Sequence, residues 1–159
     1  MFSIREVRRT RQAKLPLTPT NLALASQAMD LLWAQRLEER GYPRVPGRSG
    51  SCKFAALLAR DLFGGKLDGN LEHVFVRKER EVLDLNNLQD DVLILADSAH
   101  LSTPWVLEDR EYRESLASCM PRVKQWCQWV LEHPDVECNP EVEPAFDQLE
   151  RLDISMPGI

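Results

Sequence analysis

The chain is predicted to fold as an α+β domain, a small antiparallel sheet with helices before and after it. Three patterns predict this. Apolar residues recur at helical spacing in "PLTPTNLALASQAMDLLWAQRLEERG" and again in "TPWVLEDREYRESLASCMPRVKQWCQWVLEHP". A shorter helical run, "SCKFAALLARDLFGG", opens next to a cysteine. Between the helices, "HVFVR" and "VLDLN" alternate on either side of the charged turn "KERE", the mark of a β-hairpin. The resulting order is helix, helix, hairpin, helices.

Taken in order, residues 1–18 form a basic arm with Arg5, Arg8, Arg9, Arg11 and Lys14, which reads as a solvated arm or a short helix face. In the first long helix Thr20 is the expected N-cap, Leu24, Ala28, Leu31, Leu32 and Gln35 form one stripe, and Gly41 ends it. "YPRVPGRSG" is too rich in proline and glycine to be anything but loop. The second helix is expected from about Ser51 to Phe63, with Gly64 and Gly65 as its C-terminal cap. "DDVLILADSA" reads as a third strand or a buried segment. In the last long helix Tyr112, Leu116, Cys119, Val123, Cys127 and Val130 make the apolar stripe, and Pro121 is expected to kink or split it. Residues 134–159 are an acidic, proline-containing tail. At 159 residues the chain fits one domain, 1–159.

Composition narrows the function. With 43% hydrophobic residues the chain has enough for a sizeable core, and a net charge of −5 gives no support for nucleic-acid binding. The N-terminal basic residues precede no apolar run, so the start reads as neither a signal peptide nor a membrane anchor. Cys52, Cys119, Cys127 and Cys138 include no C-x-x-C pair and no zinc-knuckle spacing, and in a cytoplasmic chain they are expected as reduced thiols. His100 and His133 with Asp97 have no ligand spacing, so no metal and no other cofactor is expected. Trp105, Trp126 and Trp129 are expected in helical core rather than lining a groove.

One constellation carries chemistry. A thiol is a nucleophile only as thiolate, and the first turn of a helix, where Cys52 is expected, favours an anion and offers unpaired backbone N–H groups to an oxyanion. Gly50 before it allows a sharp turn and close approach of a substrate. The nucleophile needs a base and the base an orienter. An even hairpin loop centred between Glu79 and Arg80 sets position 75 opposite 84 and 73 opposite 86. His73, Phe75, Asp84 and Asn86 then share a face, expected to look towards the start of the Cys52 helix, so that Asp84 or Asn86 can hold the imidazole.

"G-S-C" at a helix start, then "H-V-F-V", a turn and "V-L-D-L" resemble the core of the transglutaminase-like and papain-like cysteine hydrolase superfamily, nearest to the small bacterial YunG-like proteins. The resemblance spans about residues 47–90. It implies a papain-like core in which Cys52 is the nucleophile, His73 the base and Asp84 the orienter. Two departures stand out. Phe75 occupies a position where the family's strand often carries tryptophan, and no glutamine precedes the cysteine to complete the oxyanion hole, a part left to Ser51 or to Gln35. The implied activity is a cysteine-dependent hydrolase or acyltransferase acting on an amide, isopeptide or thioester bond of a peptide, a protein side chain or a small amide. The alternative is an accessory or inhibitor protein, in a mobile-element or secretion context, that keeps the fold without turnover.

Overall fold

The computed structural model describes residues 4–43, 50–70, 74–79, 81–85 and 102–134. Helix α1 covers Ile4–Val7, α2 Pro19–Glu39, α3 Cys52–Phe63 and α4 Arg110–Glu132, with strands β1 at Lys66–Gly69, β2 at Val74–Lys78 and β3 at Glu81–Leu83. The chain is therefore α+β, with an antiparallel sheet of order β1-β2-β3. β1 was not expected: "KLDG" is too short, and too weak in strand formers, to announce itself. The expected third strand in "DDVLILADSA" and the acidic tail from residue 135 lie outside the described residues.

α3 is the centre of the molecule. Nine of its residues from Phe54 to Phe63 are buried, eight of them apolar and the ninth Arg60, and the helix packs against both α4 and β2. Gly64 and Gly65 both adopt positive φ (82° and 94°), so the chain reverses at once into β1. A side chain at either would collide with backbone: at Gly64 a Cβ would lie 2.9 Å from Ala13 N, and at Gly65 2.8 Å from Arg77 O.

Pairing is regular. Leu67 faces Val76 and Val76 faces Leu83, while Asp68 faces Phe75 and Lys78 faces Glu81 across a two-residue turn. Leu67, Val74, Val76, Leu83 and Leu85 belong to the core that includes α3, and Lys78 Nζ donates to Phe63 O at 2.9 Å. Because side chains alternate along a strand, Phe75, Arg77, Val82 and Asp68 lie on the sheet's other face. There Asp68 joins Arg77 Nε (2.7 Å) and Ser102 Oγ (2.7 Å), while Thr103 N donates to Gly69 O, pinning the 3-10 turn at Pro104–Val106 to β1.

The backbone of the basic arm is bound to the rest of the chain over its described length, while Arg5, Arg8, Arg9 and Lys14 remain exposed as expected of a solvated face. Fully buried Arg60 sends Nη1 to the carbonyls of Glu6 (3.1 Å), Val7 (2.5 Å) and Arg9 (3.3 Å), where α1 ends. Lys14 N and Leu15 N both donate to Leu62 O, and Arg11 forms a β-bridge with Gly65. Within residues 1–18 it is α1 that realises the helical alternative.

Three helix details also differ from expectation. α2 is capped by Thr18, whose Oγ1 accepts from Asn21 N at 3.2 Å, with Pro19 in the first turn, rather than by Thr20. Its buried stripe is Leu22, Ala25, Ala28, Met29, Leu32, Trp33 and Arg36, leaving Leu24 and Leu31 only partly covered. α4 runs unbroken through Pro121, which is exposed, while Leu116, Met120, Val123 and Trp126 anchor the helix on both sides of it. Trp126 and Trp129 are core residues, but Trp105 is exposed.

Candidate functional site

Cys52 is the first residue of α3. Gly50, two residues earlier, turns the chain at φ 84°, and Ser51 is the fully buried N-cap residue, although its side chain does not cap the helix. The first intrahelical bond is Ala55 N to Ser51 O at 2.9 Å, so the helix itself supplies no acceptor to the N–H groups of its first turn. Cys52 itself is half-buried, while Cys119 and Cys127 are buried. Burial pushes both of those thiols up, against the pull of Lys53 and Arg36 on Cys119 and of Lys14 on Cys127. Cys138 lies outside the described residues.

What surrounds the start of α3 comes largely from α4. Lys53 Nζ donates to Ser115 Oγ at 2.6 Å and stands 5.2 Å over the Tyr112 ring. The Tyr112 hydroxyl is pushed up by burial first, then by the thiols of Cys52 and Cys119. From α2, Trp33 packs on Phe54 with ring centroids 5.4 Å apart, and its Cζ2 would lie 3.8 Å from a Cβ at Gly50. Gln35 is half-buried beside the α2 stripe, and its Oε1 is buried without a partner.

The hairpin register agrees with the even loop read from the sequence. Extending the ladder by one pair sets Asp84 opposite Phe75. β1 returns along α3 and β2 runs forward beside it, so the start of β2 and the end of β3 lie towards the Cys52 end. The face is different from that expected. The residues that meet α3 are Val74, Val76 and Leu83, and alternation places Asp84, which is buried, with Phe75 and Arg77 on the side turned away. A sequence shows which strand residues share a face; which face meets the helix depends on the connection, here Gly64–Gly65. His73 and Asn86 lie outside the described residues, as do Asp97 and His100. Among the described residues no cluster of histidine, cysteine and carboxylates is placed to hold a metal, and His133 stacks on Trp129 at 4.4 Å.

Two residues that sequence reasoning missed stand near this site: Arg36 and Arg122, buried cations joined through Glu39. The available signal was their spacing, since each falls on the apolar stripe of its helix. No family model matches the chain, and no curated protein or solved structure is significantly similar to it. No described helix is long and apolar enough to cross a membrane.

Proposed function

We propose that this protein is a cysteine-dependent hydrolase or acyltransferase, with Cys52 as the nucleophile and an amide, isopeptide or thioester as the bond attacked. The observation that carries the proposal is the contrast among thiols: Cys52 opens a helix and is half-exposed, whereas Cys119 and Cys127 are buried and held protonated by burial. In the proposed reaction the Cys52 sulfur adds to the substrate carbonyl and the first-turn N–H groups receive the oxyanion. The leaving group departs with a proton, and water or an acceptor amine then releases the acyl group. The base is His73 on the strength of the sequence resemblance alone. Asp84 enters as orienter on the same ground, and its place on the sheet face away from α3 counts against a direct part.

That same placement favours a second reading, a protein that keeps the arrangement without turnover and acts by binding. The two are separated by following p-nitrophenyl acetate hydrolysis and mapping the acylated peptide. The enzymatic reading expects a burst of nitrophenol with the acetyl group on Cys52, lost in Cys52→Ser and slowed at least tenfold in His73→Ala. Acetylation spread over lysines, with Cys52 unmodified, selects the binding protein.

A further inference from the structure

Where α2 crosses α4, beside the Cys52 end of α3, two buried cations meet on one carboxylate. Arg122 Nη1 reaches both oxygens of Glu39, at 3.3 and 2.9 Å, and Arg36 Nη1 stands 3.9 Å from Oε2. Arg122 is 3% exposed and Arg36 9%, so both charges are out of bulk water. Arg36 Nε is buried without a partner, and its guanidinium stands 5.9 Å above the ring of Phe54, two residues past Cys52. Arg40, one helical turn beyond Arg36, lies against the Tyr42 ring at 5.3 Å, and Lys53 is hydrogen-bonded to Ser115. Neither has a carboxylate partner among the described residues.

These charges act on one another. Burial lowers the Arg36 guanidinium, Arg122 and Arg40 lower it further, and Glu39 and Cys119 oppose them. Lys53, Arg36 and Arg40 all pull on the Cys119 thiol, which places the four side chains in one field. Against these positive charges stand the Glu39 carboxylate and the C-terminal dipole of α2, equivalent to about half an elementary charge. Two buried guanidinium groups, flanked by Arg40 and Lys53, thus share one carboxylate. Buried cations are retained when an anion with enough oxygens meets their donors. One carboxylate that is 30% exposed at the edge of the cluster does this only in part.

We propose that Arg36, Arg40 and Arg122, with Lys53 at the rim, form a binding site for a phosphoryl dianion, and that the Glu39 carboxylate holds the site until the ligand displaces it. A phosphoryl group brings the second negative charge that a carboxylate lacks, and its oxygens suit guanidinium forks arriving from two helices. The site is independent of turnover at Cys52, so its failure leaves the acyl-transfer reading untouched.

The test is calorimetric titration of the full chain with inorganic phosphate, with sodium acetate and sodium chloride at matched ionic strength, alongside thermal unfolding. Saturable phosphate binding that acetate and chloride do not reproduce is the expected result. Glu39→Gln, which removes the competing carboxylate, should bind phosphate at least fivefold more tightly, and Arg36→Gln at least tenfold more weakly. Arg40→Gln changes an exposed residue, keeps the fold, and should weaken binding about threefold. Cys52→Ser should bind as the wild type does. Phosphate acting no differently from chloride, or binding equally well to Arg36→Gln and Arg40→Gln, overturns the proposal. Acetate binding as tightly as phosphate would overturn the phosphoryl assignment and point to a carboxylate ligand.

Discussion

The two ends of α3 are built on opposite plans. At the C-terminal end three helix carbonyls meet chain partners: Arg60 O takes Gly64 N, Leu62 O takes two N–H groups from residues 14 and 15, and Phe63 O takes Lys78 Nζ. The Arg60 guanidinium reaches back to close α1. At the N-terminal end Ser51 gives no side-chain cap, Gly50 bends the backbone, and Cys52 is half-exposed. A helix that must hold a reactive group at one end benefits from being fixed at the other, because the free end then moves only as the whole helix moves. Stability should therefore concentrate at Arg60–Gly65 and reactivity at Cys52.

The largest effect should come from breaking the fixed end. Arg60→Met removes the cation's three carbonyl contacts from a buried site and takes the donor from the Val7 and Arg9 carbonyls, while Glu6 O keeps Arg9 N–H. A loss of about 3–5 kcal/mol in urea-unfolding stability is expected, and a loss below about 1 kcal/mol would remove the contrast between the ends. Next comes Gly64→Ala. It places a Cβ 2.9 Å from Ala13 N at a positive φ and should cost about 2–3 kcal/mol. Hydrogen exchange in the same variant should quicken at Arg11, Lys14 and Leu15, whose amides bond to this turn.

A pair of thiol variants sharpens the comparison directly. Cys127→Ser puts a hydroxyl into a site that is 1% exposed and should destabilise by about 1–2 kcal/mol, whereas Cys52→Ser should stay within about 0.5 kcal/mol. Native iodoacetamide labelling should accordingly reach Cys52 first and Cys127 only on unfolding. The smallest effect concerns Asp68. Burial alone would raise its carboxyl, but hydrogen bonds from Arg77, Ser102 and Gly69 N–H and the Arg77 charge outweigh burial and hold it low. Since the folded state lowers this pKa, its stabilisation is present above the ordinary aspartate value and lost as pH falls through the folded one. Asp68→Asn should cost about 1 kcal/mol at pH 6 and flatten the acid limb of the stability curve; an unchanged limb would mean the Arg77 pair is solvated.

Much of the fold is legible in the amino-acid sequence. The α2, α3 and α4 segments follow from helical spacing, and the hairpin register follows from alternation around a two-residue turn at Glu79–Arg80. β1 escaped because four residues ending in glycine carry no usable period. The burial of Arg36, Arg60 and Arg122 escaped because an arginine on an apolar stripe is ordinarily assumed to reach solvent along its stem. For the candidate site, the helix-start position of Cys52 was legible. The facing of Asp84 was not, because Phe75 and Val82 on one side of the sheet are as buried as Val76 and Leu83 on the other, so hydrophobicity could not distinguish the faces.

The near-complete burial of α3 also has a consequence for synthesis on the ribosome. β1 and β2 can cover one side soon after it emerges, but the side that packs on α4 stays bare until residues 110–132 have been made. At translation rates of about 5–20 residues per second, that is an interval of several seconds. During it the nascent chain presents the side of α3 that carries its α4-facing apolar residues without their partner. Chains arrested before α4 should therefore be the ones that chaperones hold or that aggregate, whereas chains that stop just after Glu132 already contain every segment that packs on α3 in the described structure.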